Sequence, residues 1–210
     1  SPGVAAVYVP RTQLPRTFGD FELLDELGAG GMGTVYKARQ RSLDRVVAIK
    51  MLKSGEMASA VEQARFRAEA ESAAGLDHPH VVPVYQVGVC DGQPYFSMRH
   101  VAGENLARRL ERGPLEPRDA VALVVPLARA IEFAHRQGIL HRDLKPSNVL
   151  IDERGQPLLT DFGLAKRVDD EAAQLTRSGA ILGTPSYMPP EQASGERGQL
   201  GPASDIYGLG

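Results

Sequence analysis

A single cysteine, Cys90, stands among the 210 residues, which excludes an internal disulfide framework and any cysteine-rich zinc pattern. A lone thiol fits a reducing compartment. No apolar run approaches the roughly 18 residues that a bilayer crossing needs, and nothing near the N-terminus reads as a signal peptide. A basic surplus is also missing: 24 Lys and Arg against 26 Asp and Glu leave a net charge of -2 and a pI near 6.2. That balance does not draw a chain to nucleic acid, so any nucleotide it binds is expected to be small and held by a local site. There is no initiator Met and no ending signal at Ile206 to Gly210, so the sequence reads as a piece of something longer. What remains is an ordinary globular composition, 42% hydrophobic and 24% charged, long enough for one large domain or two small lobes.

Residues 1–17 carry Pro2, Pro10 and Pro15 with no helical or alternating period, which predicts a flexible leader or linker. From Phe21 the apolar positions 21, 23 and 27 suggest a strand that runs into Gly28, Ala29, Gly30, Gly31, Met32 and Gly33. In a dinucleotide-binding fold that glycine pattern would open a helix, but Thr34 to Ala38 continue with strand-like alternation, so the motif is placed on a hairpin. Glycines there let backbone amides approach phosphate oxygens. No Gly-Lys-Ser/Thr follows, which excludes a P-loop. The β-rich run Val46 to Lys50 puts one lysine on a strand beneath the loop.

A helix is expected over 58–75, stopped by Leu76, Asp77, His78 and Pro79. At about 100° per residue Glu69 shares a face with Phe66 and Ala73, whereas Glu71 points about 200° away and, with Glu62, reads as a solvated charge. Val81 to Val89 and Pro94 to Val101 read as two strands joined at Asp91-Gly92. Glu116-Pro117 opens a long helix with apolar positions 120, 123, 124, 127, 130, 131 and 134 and a stop at Gly138. Pro126 in its middle predicts a kink, since an unbroken helix there costs roughly 3 kcal/mol. His78, His80 and His135 lack the company of further ligands and read as packing or loop residues.

The stretch that organises the chain is His141 to Asn148, HRDLKPSN, followed by Asp161, Phe162 and Gly163. Asp143 is a potential base, Lys145 a cation two positions on, Asn148 an amide that can hold a metal, and Asp161 a second carboxylate. Phosphoryl transfer from a nucleotide asks for such groups: an acceptor for the hydroxyl proton, a lysine against the moving phosphoryl, and oxygen ligands for Mg²⁺. In this order, with the glycine loop and VAIK upstream, the motifs resemble those of the protein kinases. GAGGMG, FRAEAESAAGLDHP and PEQA bring the resemblance nearest to the bacterial eukaryotic-like Ser/Thr kinases.

The resemblance implies an α+β, two-lobed protein-kinase-like fold, with a β-rich N-lobe at 18–98, a hinge at 99–101 and an incomplete, mainly helical C-lobe at 102–210. It implies ATP and Mg²⁺ as cofactors and a protein substrate with a Ser/Thr acceptor. Lys50 would pair the α and β phosphates and be held by Glu69. Asn148 and Asp161 would hold the metal. Met98 would guard the back of the nucleotide pocket, backbone groups of Arg99 and Val101 would hold adenine, and Leu27, Val35, Ala48 and Leu150 would sandwich it below the glycine loop of Gly28, Gly30 and Gly33. His141 would pack against Phe162. Arg142 would meet a phosphate on Thr176 or Ser178, Thr184 would lie on the substrate side, and Asp205 would brace the catalytic loop from below.

Arg99 and His100 depart from the acidic and aromatic hinge residues of the family, and Pro189-Pro190-Glu191 replaces Ala-Pro-Glu. Glu191 expects an arginine partner further along, and the larger lobe is expected to continue past the helix starting at Asp205. Self-association for trans-autophosphorylation, a cytoplasmic kinase domain, and membrane anchoring by sequence beyond residue 210 are compatible expectations. The alternative is a nucleotide-binding or interaction module without turnover.

Overall fold

The protein is described from a computed structural model that covers residues 14–30, 33–53, 58–162, 187–193 and 201–210. Its N-terminal half is a six-stranded antiparallel sheet of β1 (Arg16–Phe18), β2 (Phe21–Ala29), β3 (Gly33–Gln40), β4 (Arg45–Leu52), β5 (Val84–Cys90) and β6 (Gln93–Arg99), in the order β1-β2-β3-β4-β6-β5. Phe18, Phe21, Leu23, Val47 and Ile49 fill one face, and Tyr95 meets Phe18 and Phe21 edge-on at 5.3 and 5.6 Å. Arg16 and Thr17, assigned to the leader from sequence, instead pair with Leu23 and Glu22 in β1, because burying Phe18 commits the residues before it to the sheet. The turn at Asp91-Gly92 has both residues at positive φ, 49° and 71°, the geometry that matches strand twist in a two-residue hairpin.

Helix α1 (Ala60–Ala74) starts at a capping box: Ser59 Oγ accepts from Glu62 N, and the Glu62 carboxylate accepts from Ser59 N at 2.8 Å. Glu62 is therefore a cap rather than simply a solvated charge. The buried face is Phe66, Glu69, Ala70 and Ala73, spaced three and four apart as a helix stripe requires. Phe66 packs on Phe96 of the sheet.

After Arg99 the chain leaves the first sheet and enters a second through β7 (Gly103–Asn105), which pairs with β8 (Val149–Asp152) and then β9 (Pro157–Leu159). Around it lie α2 (Leu106–Leu110), α3 (Pro117–Arg136), α4 (Pro190–Ala193) and α5 (Pro202–Leu209). Pro117 occupies the first turn of α3, and Gly138 just beyond its end adopts φ 74°. The helix runs through Pro126, and the carbonyl that proline leaves without a donor, on Ala122, belongs to an exposed residue where water can serve it. Leu127, Ala130, Ile131 and Ala134 are buried, while Val124 is 39% exposed. Helix α5 begins at Pro202 behind Gly201, three residues before the expected start at Asp205, because Pro202 fits the first helical turn.

The two parts are stitched together by β9. Val82 N donates to the Leu159 carbonyl and Leu159 N to the His80 carbonyl, each at 2.8 Å, and a His80 ring nitrogen lies 2.7 Å from the Pro157 carbonyl. One apolar cluster spans the seam, with Ala48, Val82, Phe96 and Met98 from one side and Leu158 from the other.

Candidate active site

Strand β4 carries Lys50 to the seam, where its Nζ lies 2.6 Å from Glu69 Oε1 on α1 and 2.9 Å from Asp161 Oδ1 just after β9. Of the two competing glutamates, Glu69 is 4% exposed, while Glu71 is exposed and paired with Arg67 one turn away. Burial works against the Lys50 ammonium, but Asp161 and Glu69 outweigh it and hold its pKa above the ordinary value. Burial lifts the Glu69 carboxyl; Lys50 pulls it down, Asp161 pushes it further up, and the net direction is upward. Among the groups acting on Glu69, Lys50 alone favours the charged carboxylate.

The second group is the loop after α3. Lys145 Nζ lies 2.9 Å from Asp143 Oδ2, and Asn148 Nδ2 donates to the Asp143 carbonyl at 2.8 Å and to its Oδ2 at 3.1 Å. Asp143 and Lys145 are both partly exposed. The loop is held from behind by Asp205, 1% exposed, whose carboxylate accepts from His141 N at 2.8 Å and Arg142 N at 2.7 Å and lies 2.7 Å from His135 Nε2. Those bonds fix Arg142 at φ 63°, in the left-handed region that a non-glycine residue enters only when its surroundings compel it. Asp161 adopts φ 58°. His141 is fully buried with its ring 4.7 Å from that of Phe162, and burial lowers its pKa against the pull of Asp205 and Asp143.

Between the two groups opens a cleft of about 300 Å³. It brings together Leu27, Gly28, Val35, Ala48, Met98, Arg99, Val101, Leu150 and Asp161 from the sequence-based set. A smaller space lined by Glu69, Phe96 and Phe162 adjoins it, and Met98, Val82, Thr160 and Asp161 line both. Gly30, Gly33, Lys50, Glu69, Asp143, Lys145 and Asn148 are not among its lining residues. At Gly28 an added Cβ would meet nothing within 4 Å, so the strand backbone faces open cleft. Gly33 answers a different need: a Cβ there would sit 2.3 Å from the Met51 carbonyl oxygen, so glycine lets β3 lie flat on β4. Ser147, inside the HRDLKPSN run, also lines the cleft, as do Val82, Thr160, Glu104, Asn105 and Arg108, which carry no motif signal. Only the path of the chain through β7 and β9 brings them there.

The residues fit a nucleotide with a hard cation. Asn148 spends its amide hydrogens on Asp143 and keeps its carbonyl oxygen as a ligand, Asp161 presents a carboxylate at the cleft, and both are oxygen donors suited to Mg²⁺. Gly163, Thr176, Ser178 and Thr184 lie outside the described residues. Glu191, whose arginine partner the sequence left unassigned, accepts from Ser204 Oγ at 2.6 Å.

The family model described as Protein kinase domain matches residues 21–210, and the chain belongs to that family. The chain is 40% identical over 198 residues to the serine/threonine-protein kinase PknD of Mycobacterium tuberculosis, covering 94% of this chain and 29% of PknD. It is 40% identical over 196 residues to PrkC of Bacillus subtilis, covering 93% and 30% respectively. The chain thus spans about a third or less of these relatives. Among solved structures, the kinase domain of Mycobacterium tuberculosis PknI matches with a TM-score of 0.71 at 31% identity, over 94% of this chain and 72% of that one. The structure titled PpkA-294 apo form matches with a TM-score of 0.77 at 30% identity, over 93% and 74%. Members of the family generally use ATP and Mg²⁺.

Proposed function

We propose that this chain is the catalytic part of a Ser/Thr protein kinase, moving the γ-phosphoryl of ATP to a protein hydroxyl. The observation that carries the reading is an apolar-walled cleft lined by Asp161 and Ser147, with Asp161 paired to Lys50 and through it to Glu69, and with the Asp143, Lys145 and Asn148 network on the loop that holds Ser147. The base moiety lies between Leu27, Val35 and Ala48 above and Leu150 below, with backbone groups of Arg99 and Val101 at its edge and Met98 at its back. The backbone around Gly28, Gly30 and Gly33 covers the phosphates. Lys50, oriented by Glu69, contacts the α and β phosphates. Asp143 orients the acceptor hydroxyl and takes its proton as oxygen bonds to the γ-phosphorus and the β–γ bridge breaks, leaving ADP. Lys145 offsets charge on the transferred group. Asn148 and Asp161 would hold Mg²⁺, which would supply charge neutralisation at the phosphates.

Arg142 extends the reading to regulation: its Nε is buried with no hydrogen-bond partner among the described residues, and a phosphate on Thr176 or Ser178 would supply an anion. Such a phosphate fits autophosphorylation between two copies, and Thr184 belongs to the substrate side. No described helix is long and apolar enough to cross a membrane. A cytoplasmic kinase domain suits the reaction, with room for anchoring elsewhere in the protein.

The test compares wild type with Asp143→Asn in the intact protein, using labelled ATP and a mixed Ser/Thr peptide library. Loss of the base lowers kcat by about 10²–10⁴-fold, while nucleotide affinity stays within about threefold, since Asp143 touches the hydroxyl rather than the nucleotide. Normal turnover by Asp143→Asn refutes the assignment of the base. No transfer by wild type to any peptide refutes the kinase reading itself.

A further inference from the structure

The mouth of the cleft carries cations that the reaction does not use. Arg99 at the end of β6 and Arg108 on α2 both line the opening, both are exposed, and neither has an ion-pair partner among the described residues. The carboxylate at this rim is already committed. Arg112 engages both oxygens of Glu104, with Nη1–Oε2 at 2.8 Å and a second bond from Nη2. That bond first, and the charges of Arg112, Arg109 and Arg108 with it, hold the Glu104 carboxyl below its usual range. The rim therefore keeps a net positive field.

These arginines are badly placed for the nucleotide's phosphates. In the β4–β6 register Lys50 faces Phe96 whereas Val47 faces Arg99. Three residues at about 3.3 Å each put Arg99 roughly 10 Å along the strand from the lysine. Helix α2 packs instead against the turn Pro146–Asn148, immediately after Lys145, and Arg108 shares the cleft wall with Ser147 of that turn. Asn105 fixes this end of α2, its Oδ1 accepting from Arg108 N at 2.8 Å. A peptide whose hydroxyl lies at Asp143 passes this turn, and an extended chain advances about 3.3 Å per residue, so side chains a few positions from the acceptor come within reach of Arg108.

We infer that Arg108, seconded by Arg99, selects protein substrates that carry an Asp or Glu a few residues from the phosphorylated Ser or Thr. The inference rests on the kinase reading above. A guanidinium with its donors unspent forms a paired hydrogen bond with a carboxylate, whereas a substrate arginine at the same position meets like charge and finds Glu104 already taken.

The test measures kcat/KM of the full-length protein on peptides with Asp, Ala or Arg placed in turn at each of four positions either side of the acceptor. Wild type, Arg108→Ala, Arg108→Glu and Arg129→Glu are compared, the last reversing an exposed arginine on α3. Wild type favours Asp over Ala by about fivefold at one position, Arg108→Ala flattens the preference, and Arg108→Glu turns it toward Arg. Arg129→Glu keeps the wild-type preference, and the change lies in peptide KM rather than ATP KM. Transfer without any acidic preference, a preference that survives Arg108→Glu, or a loss confined to ATP KM overturns the inference while leaving the kinase reading standing. An absence of transfer to every peptide removes both.

Discussion

The two halves of the candidate site are assembled in opposite ways. In the Asp143 loop the partners are near in sequence: Lys145 reaches back two residues and Asn148 five. In the Lys50 cluster they are distant: Glu69 lies 19 residues away and Asp161 111. The loop can take its local shape from its own sequence, given an anchor behind it. The cluster exists only when β4, α1 and the residues after β9 are all in register. Its Lys50–Glu69 pair is also drier than the Lys145–Asp143 pair, with side chains 10% and 5% exposed against 28% and 21%, while Asp161 is 35% exposed. Breaking the first should therefore cost stability as well as chemistry, and breaking the second mainly chemistry.

Lys50→Met is the sharpest way to test that contrast. It leaves Glu69 buried without its counter-ion, and removing one partner of a buried pair costs about 3–5 kcal/mol. The sign of the pH dependence follows from burial, which already lifts the Glu69 carboxyl and loses its only opponent in the variant. A carboxyl with a raised folded pKa stays protonated in the native state after the unfolded chain has released its proton. Stability therefore falls as pH rises through the folded pKa, by up to about 1.4 kcal/mol per unit, and recovers in acid. Urea unfolding across pH 5–8 reads this directly. If Lys50→Met is as stable as wild type at neutral pH, the cluster is ornamental to the fold and the contrast fails.

The same difference explains what could be read before any coordinates. The loop was legible as a string because its geometry is local, and the glycine hairpin because alternation continues past Gly33. Glu69 could be separated from Glu71 by helix phase alone, since Phe66 and Ala73 mark the buried face. Asp161 as a metal ligand rests on the family resemblance, whereas its ion pair with Lys50 has no signal in the sequence, because 111 residues of chain separate the two and no period connects them. Val82 and Arg108 were missed: one looks like any strand valine, and the other sits on a five-residue helix whose position depends on where β7 deposits it. The purpose of Gly33 was half legible. Its place in the motif suggested phosphate approach, whereas its immediate neighbour is a carbonyl of β4. The leader expected over 1–17 overlaps β1 at Arg16 and Thr17, because these two residues carry no pattern and only Phe18 shows which core they serve.

Asp205 joins the two modes, a distant residue that holds a local loop. Asp205→Ala removes the acceptor of one buried and one part-buried backbone N–H group and the partner of His135. Each donor left unsatisfied costs about 1–3 kcal/mol, unless water enters the space the side chain vacates. Arg142 then has no reason to keep φ 63°, so the loop that carries Asp143 relaxes. The expected result is a stability loss below that of Lys50→Met with a kcat loss of at least about tenfold, because small misplacements near reacting atoms are expensive in rate. Asp205→Asn, which keeps an acceptor oxygen for one N–H, falls between. Equal kcat in all three proteins would mean the loop holds itself.

The smallest effect concerns His141, packed on Phe162 behind the loop. Burial depresses its pKa below the ordinary 6.5 even though Asp205, Asp143 and Asp161 all pull upward. The native state therefore holds a neutral ring while the unfolded chain takes up a proton below pH 6.5. Protons bound by the unfolded state alone make stability rise with pH, so this contribution is complete above 6.5 and is lost as pH falls toward the depressed value. The slope is at most about 1.4 kcal/mol per pH unit. His141→Phe keeps an aromatic against Phe162 and cannot titrate. Subtracting its stability curve from that of wild type between pH 5 and 7 cancels the carboxylates common to both, Glu69 included. The difference should slope only below about pH 6.5, with wild type losing ground in acid. A flat difference would mean that His141 keeps the same pKa folded and unfolded, and that the space between Phe162 and the loop is wetter than its packing suggests.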